Sequence, residues 1–443
     1  MTESTRPEPP TLAQAFPYWL KLGFISFGGP AGQIAMMHQE LVEKRRWISE
    51  HRFLHALNYC MLLPGPEAIQ LAIYIAWLMH GVLGAVMAGV LFFLPAFVLL
   101  SGLAAVYLSF GDVPLVQGIF YGIKPAVVAV VLFAAWRIGA KTLKNELLYG
   151  IAALSFVGIF FFKIGFPWIV LAAALIGMIG GKLAPAKFKG GGGHGASNKQ
   201  YGPALIDDDT PPPPHAAFSW AKLAAKLVFF VLIWAAAMLA VAGNDTLVAM
   251  GDFFTKAAFL TIGGAYAVLP YVYQGAVEQH GWLTGLQMMD GLALGETTPG
   301  PLIMVVTWVG YLGGVAKEVA GNPIAAGLAG ATVATFFTFL PSFLFILAGG
   351  PLVESTRGDL KFTAPLTAIT AAVVGVIVNL AVFFAWHTFW PQGSEAEPFA
   401  GSFEGLQVAV AIAAFVALWK YKVDIMKVIG ACALAGLLLA LAG

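Results

Sequence analysis

Two apolar stretches of membrane length are broken in the middle by the same tripeptide, Pro64-Gly65-Pro66 in the first half of the chain and Pro299-Gly300-Pro301 in the second. Each half also carries a glycine pair further upstream, Gly28-Gly29 and Gly263-Gly264. In lipid every backbone N–H and C=O must find a partner, so a helix is broken only where the break lines a protein cavity or a water-filled site. Two breaks at corresponding positions indicate the binding site of a transporter.

Three lysines within the apolar stretches could supply positive charge to such a site. Lys21 precedes Gly28 by seven positions, which is two helical turns on the same face. Lys256 has the same relation to Gly263, and Lys124 lies inside another apolar element. A lysine at membrane depth costs on the order of 3 kcal/mol on insertion scales, so it usually has a function. The alternative is that these side chains extend to the membrane surface.

Acidic residues near the Pro-Gly-Pro breaks are candidates for coupling or gating. They could take up protons in exchange for a solute, or hold the lysines by pairing, and they are Glu67, Asp290 and Glu296. Glu67 could equally stabilise the N-terminus of the helix that it begins. Glu43 and Glu278 correspond to each other in the two halves and lie beside loops. We expect them to form a structural gate with loop cations such as Arg46.

The composition restricts the class of protein. Of the 443 residues 59% are hydrophobic and 11% are charged, which indicates a polytopic membrane protein rather than a soluble domain. A net charge of +1 gives no reason to expect a nucleic-acid partner. His51, His55 and Cys60 lack the further ligand spacing of a metal site. No nucleophile, base and orienting group form a recognisable motif, so we expect no enzyme activity, metal or cofactor.

The first half of the sequence recurs in the second at an offset of 235 positions, as from Pro64 to Pro299. Beyond an insertion the offset becomes 246, which pairs Pro95 with Pro341. Six elements and one extra helix, residues 220–242, separate equivalent positions, and this odd number predicts halves of opposite orientation. The predicted fold is therefore an all-α polytopic membrane protein of two inverted homologous repeats.

The segment between the halves differs in composition from both of them. It contains four consecutive glycines from Gly190, three aspartates from Asp207 and four prolines from Pro211, which is typical of a flexible linker. We therefore predict a membrane repeat over residues 1–181, a linker over 182–219, and the extra helix with a second membrane repeat over 220–443.

Lysines and arginines near the ends of the apolar elements predict the orientation in the membrane. Most of them, Arg137, Lys182 and Arg357 included, fall on the side of the N-terminus. We therefore expect a multi-pass protein of the cytoplasmic membrane, with the N-terminus and linker in the cytoplasm and the C-terminus outside. The basic loop 44–46 fits this orientation if the first two elements are re-entrant hairpins that bend at their breaks. The alternative is that both elements are broken helices that span the membrane. The basic loop would then lie outside, against the tendency of lysine and arginine to stay on the cytoplasmic side.

These motifs resemble those of the chromate ion transporter (CHR) family. Its N-terminal signature is similar to Phe27-Gly28-Gly29-Pro30, Trp47 and Pro64-Gly65-Pro66. Its C-terminal signature is similar to Ile262-Gly263-Gly264-Ala265-Tyr266, Gly281-Trp282 and Glu296-Thr297-Thr298-Pro299-Gly300-Pro301. The likeness covers nearly the whole chain and identifies it as a long member with two homologous domains. Ala265 replaces the proline of Gly-Gly-Pro, so that proline is not required at both breaks.

The resemblance implies a secondary transporter that exports chromate and gives chromate resistance. Chromate is a tetrahedral dianion, and the N-termini of helices that begin at glycine-rich breaks supply N–H groups with partial positive charge. The candidate ligands are Gly28, Gly29, Pro64, Gly65, Pro66, Gly263, Gly264, Pro299, Gly300 and Pro301, together with Lys21, Lys124 and Lys256. The glycines could instead serve close helix packing.

Three other functions share some of these features. A transporter of sulfate or another oxyanion shares all of them, and an anion channel would conduct without saturation. A membrane oxidoreductase would need a redox cofactor site, for which the sequence has no motif. The sequence leaves open the coupling ion and whether the protein forms a homodimer.

Overall fold

The computed structural model describes residues 6–27, 29–111, 113–188, 201–262, 264–356, 363–393 and 397–442. These residues form sixteen α-helices, with short π and 3-10 segments and no β-sheet. The helices are α1 (Leu12–Ile25), α2 (Gly29–His38), α3 (Glu50–Leu62), α4 (Glu67–Phe110), α5 (Pro114–Thr142), α6 (Glu146–Phe160), α7 (Phe166–Leu183), α8 (Trp220–Ala240), α9 (Asp245–Leu260), α10 (Ala265–Tyr273), α11 (Gly285–Thr297), α12 (Val305–Ala316), α13 (Pro323–Thr356), α14 (Thr363–Phe389), α15 (Gly405–Trp419) and α16 (Ile425–Ala442).

Six of these helices are long and apolar enough to cross a membrane, and they are α4, α5, α7, α8, α13 and α14. Together with the shorter apolar helices α6, α12, α15 and α16, they make the chain a polytopic membrane protein of the all-α class. Helix α4 is not continuous. Gly81 has a φ of +63° and a ψ of −151°, and it reverses the chain between residues 67–79 and 82–110.

The helix pattern of the first half recurs in the second. Helices α3 and α11 have the same length, and their first residues lie 235 positions apart. The π-helices Gln39–Lys44 and Gln274–Gln279 have the same spacing. At each of these tips an extra residue is accommodated just before a tryptophan, Trp47 or Trp282, whose backbone N–H closes the turn.

The two halves pack through their long helices. Helix α5 of the first half contacts α14, α15 and α16, while α14 of the second half contacts α5, α6 and α7. Helices α4 and α13 also contact each other. Contacts between the halves therefore form a large part of the core.

Part of the segment predicted as a linker is packed on the first half. Ile206 forms a parallel bridge with Ile48, and the Ser49 N–H donates to the Ile206 carbonyl at 2.9 Å. Ala216 is buried as well. The few apolar residues among the aspartates and prolines make these contacts, whereas the glycine run lies outside the described residues.

Candidate substrate-binding junction

The breaks of the two halves are joined by a pair of crossed backbone hydrogen bonds. The Gly65 N–H donates to the Thr261 carbonyl at 2.7 Å, and the Gly300 N–H donates to the Ser26 carbonyl at 2.9 Å. Gly65 corresponds to Gly300, and Thr261 to Ser26, at the offset of 235 positions. We call these four residues the junction. Each Pro-Gly-Pro break is thus completed by the glycine-pair break of the other half.

Backbone conformation explains why glycine stands at these positions. Gly65 and Gly300 have φ angles of +119° and +113°, in the region that L side chains rarely adopt. A Cβ on Gly65 would lie 2.4 Å from the Gln70 side-chain nitrogen and 2.8 Å from the Ser342 hydroxyl. Glycine at these two breaks therefore allows both the positive φ of the turn and the close approach of neighbouring side chains.

Helix N-termini converge around the junction. Helix α2 begins at Gly29, α4 follows Pro66, α10 follows Gly264, and a 3-10 turn leading into α12 follows Pro301. The residues before α4, α10 and the 3-10 turn provide no side-chain cap, so first-turn N–H groups remain available to a ligand. Such groups favour an anion. The other two predicted ligands, Gly28 and Gly263, lie outside the described residues.

Two buried glutamines hold the break carbonyls, and the sequence analysis missed both. The Gln33 side-chain amide donates to the Gly300 carbonyl at 2.7 Å and to the Ser26 carbonyl at 3.2 Å. The Gln70 amide donates to the Pro64 carbonyl at 2.6 Å. Freed carbonyls at a helix break need donors, and amides within apolar stretches were the signal that could have identified these residues.

Two of the predicted acids lie beside the junction at the start of α10. The Glu67 carboxylate oxygens lie 3.7 and 3.8 Å from the position that a Cβ would take on Gly264. The Tyr266 hydroxyl donates to Glu296. Both carboxyls lie deep in the protein, yet both keep part of their surface accessible.

Arg137 of α5 is the cation whose charge acts on this group. Its guanidinium interacts electrostatically with Glu67, Glu296 and Tyr266. The sequence analysis used Arg137 only as an orientation signal, because it lies near the end of an apolar element. Helix α5 packs against α11, the helix that carries Glu296.

The structure does not bring Lys21 or Lys256 into the junction. Both side chains are exposed on their helices, α1 and α9. The Lys256 ammonium lies 2.5 Å from Asp252, one helical turn earlier.

Lys124 and Asp290 share a second cavity away from the break residues. It has a volume of about 570 Å³ and lies between the end of α4, the start of α5 and the end of α16. The Tyr107 hydroxyl donates to one Asp290 oxygen at 2.9 Å, and the other oxygen, which is buried, has no partner among the described residues. Lys124 and Asp290 are thus brought together, although no pattern in the sequence connects them.

The two loop tips are built around tryptophans. The Arg45 guanidinium lies 4.9 Å from the ring of Trp47, and the equivalent His280 stacks on Trp282 at 4.4 Å. Burial lowers the pKa of His280. This ring packing is a feature that the two tips share.

Two cations of the first loop pair with an acid that the sequence analysis did not name. Lys44 and Arg45 pair with Glu40, at 3.2 and 2.9 Å. Burial opposes ionisation of Glu40, but the hydrogen bonds from Arg45 and Lys44 outweigh it and lower the pKa of Glu40. Glu43 instead lies 3.4 Å from His38. Glu40 is favoured because it stands one turn before Lys44. Arg46 and Glu278 lie at the ends of their loops, Arg46 with a φ of +52° and Glu278 with an exposed side chain.

A buried ion pair also connects the halves. The Arg52 guanidinium of α3 donates to Glu354 of α13 at 2.6 Å, and the Tyr74 hydroxyl donates to the other oxygen of Glu354. The two charged side chains are 8% and 2% exposed. Because both Glu354 oxygens are hydrogen-bonded, the charge is compensated despite its burial.

Comparison with known proteins identifies relatives over nearly the whole chain. The family model described as chromate transporter matches residues 13–178 and again 248–437. A chromate transport protein of Pseudomonas aeruginosa is 34% identical over 98% of this chain and 94% of its own. A chromate transport protein of Cupriavidus metallidurans is 30% identical over 85% and 83%. A probable chromate transport protein of Synechococcus elongatus is 28% identical over 84% of both chains. No solved structure matches the chain significantly.

Proposed function

Because the chain belongs to the chromate transporter family, we propose that it exports chromate across the cytoplasmic membrane and so gives chromate resistance. Export needs no further energy source. Moving a dianion outward through an inside-negative potential of ~100 mV releases about 5 kcal/mol. That energy supports a gradient of roughly a thousandfold.

The crossed hydrogen bonds of the junction are the observation that carries this proposal. They bring the N-termini of α2, α4, α10 and the turn before α12 to one place between the halves. A tetrahedral dianion is bound there by first-turn N–H groups, with the glycines allowing close approach. The proposed contact residues are Gly29, Pro64, Gly65, Pro66, Gly264, Pro299, Gly300 and Pro301. Lys124 and Asp290 line a second binding position on the transport pathway.

The proposed architecture is two inverted repeats with re-entrant hairpins. Helix ends separated by 235 positions and a family model that matches twice support the repeat. His80, at the reversal within α4, bonds to the Pro10 carbonyl, which supports a return of the chain to the side where α1 begins. Asn244, before α9, bonds to the Val319 carbonyl after α12 in the same way. The single spanning helix α8 then places the second half in the opposite orientation across the membrane.

The orientation in the membrane is proposed from the basic residues. The N-terminus and the segment 182–219 lie in the cytoplasm and the C-terminus lies outside. The membrane repeats cover 1–181 and 220–443. Transport follows when one half moves against the other and opens the junction to alternate sides.

Uptake of labelled chromate into inside-out vesicles tests the function. Saturable uptake that excess sulfate barely inhibits is expected for the native chain. The double variant Gly65→Leu with Gly300→Leu should abolish it, whereas Gly102→Leu, where an added side chain meets open space, should retain it. A clear preference for sulfate would move the function to another oxyanion, and uptake equal to that of empty vesicles would refute it.

A further inference from the structure

Two carboxyls, one phenol and one guanidinium surround the start of α10. Glu67 approaches Gly264, Tyr266 donates to Glu296, and the charge of Arg137 reaches all three side chains. These groups come from α4, α10, α11 and α5. Cys60 of α3 is a further titratable group that interacts electrostatically with Glu67.

Arg137 forms no direct ion pair with the two carboxylates of this group. Arg137 has no hydrogen bond or ion pair to any described residue, although two carboxyls lie within its electrostatic range. Guanidinium groups bind tetrahedral oxyanions by two parallel hydrogen bonds. A guanidinium whose charge acts on the carboxyls beside the start of α10 is therefore suited to a dianion.

We propose that Arg137 binds the transported oxyanion and that the carboxyl pair Glu67 and Glu296 takes up one proton as it binds, so that one dianion and one proton cross the membrane in the same direction. The inference rests on the proposed function, because it assumes a carried dianion. The proton comes from the water on the side where the anion enters, and it leaves with the anion on the other side.

The sign of this coupling follows from electrostatics. A dianion beside a carboxylate disfavours the charged form of that carboxylate, so anion binding favours protonation. By linkage, protonation then favours anion binding to the same extent. Exchange of a proton for the anion would need the opposite sign. With one proton per dianion the complex still carries negative charge outward, so the membrane potential continues to drive export.

The test uses purified protein in liposomes that contain a pH-sensitive dye, with the membrane potential clamped by potassium and valinomycin. Chromate uptake is measured over an alkaline pH range, where nearly all chromate is the dianion. For the native chain, KM should rise by about tenfold per pH unit for one coupled proton. The lumen should acidify as chromate enters.

Isosteric variants separate the two roles. In Glu67→Gln with Glu296→Gln, the chromate that still enters should no longer acidify the lumen and KM should no longer depend on pH, while the exposed Glu318→Gln should behave as native. Arg137→Gln should raise KM at every pH by about tenfold or more, and Arg137→Lys by less. Lys141→Gln, an exposed cation one turn further along α5, is the matched control. Size-exclusion profiles establish that each variant is folded.

Alkalinisation of the lumen, a native KM independent of pH, or a native KM in folded Arg137→Gln would overturn the inference. If the liposomes take up sulfate but not chromate, the proposed substrate is wrong. The same pH series with sulfate then tests the proton coupling separately. Uptake of neither dianion would overturn both.

Discussion

The backbone N–H of Gly65 donates to the carbonyl of Thr261 at 2.7 Å, from one half of the chain to the other. The equivalent bond runs from Gly300 to Ser26 in the reverse direction. At membrane depth an unsatisfied backbone group costs several kcal/mol. Each half therefore depends on the other for the completion of its own break.

Substitution of Gly65 or Gly300 by alanine should destabilise the protein and stop transport. Each position has a φ above +110°, which costs an L residue roughly 1–2 kcal/mol. The added Cβ would also approach Gln70 and Ser342 at the first site, or the Ala96 Cβ at 2.8 Å at the second. We expect a loss of about 2 kcal/mol or more per site, measured as a lower melting temperature in detergent.

Gly102→Ala is the matched control for these variants. It lies in α4, and an added Cβ would meet no atom within 4 Å. The variant should be neutral, or more stable by up to about 1 kcal/mol through helix propensity. Equal melting temperatures for Gly65→Ala and Gly102→Ala would contradict the role of the junction.

The broken helices could be predicted from sequence because their signals are local. Pro-Gly-Pro and its repetition 235 positions later predicted the helix ends within a few residues, as α3 and α11 show. The pairing of Gly65 with Thr261 could not be predicted, because periodicity within a helix says nothing of which distant backbone meets it. The same limit applies to Arg137, whose sequence position indicates only a helix end.

The positions of Lys21 and Lys256 show a related limit. The spacing of Lys21 and Gly28 predicts a shared face only while the helix continues, and α1 ends at Ile25. Lys256 likewise found a partner, Asp252, one turn away on its own helix. Local pairing of this kind competes with any distant site for the same charge.

Breaking the buried ion pair between Arg52 and Glu354 should be costly. Removal of one partner leaves the other charged and buried, so Arg52→Gln or Glu354→Gln should each cost about 3–5 kcal/mol. The double variant should cost less than the sum, because it leaves no unpaired charge. A double-mutant cycle of thermal unfolding in detergent measures this coupling.

The exposed pair of Lys44 and Glu40 provides the comparison. Lys44 is 59% exposed and lies one turn from its partner, so Lys44→Gln should change stability by no more than about 0.5 kcal/mol. Strict additivity of the Arg52 and Glu354 variants would show that the buried pair does not act as a unit.

Lys124 should attract anions to the cavity that it shares with Asp290. Without its charge, Lys124→Gln should slow chromate uptake from the side that the cavity faces by several-fold at low ionic strength. The deficit should shrink as salt is added, since ions screen such steering. Lys141→Gln, at the other end of α5, should show no such dependence. A salt-independent deficit would indicate direct binding instead of steering.

Single cysteines at the two loop tips should report opposite sides of the membrane. Lys44 and Gln279 are both exposed, and each lies at the end of a π-helix that follows a broken element. In inverted repeats with re-entrant hairpins, the first tip faces the cytoplasm and the second faces outside, which agrees with the basic residues of the first tip and the absence of lysine and arginine from 274–283.

The native Cys60 and Cys432 are first replaced by alanine. An impermeant maleimide added to whole cells should then label Gln279→Cys at once and Lys44→Cys only after the membrane is opened. Labelling of both from the same side would refute the inversion, while reversed labelling would keep the inversion and overturn the orientation.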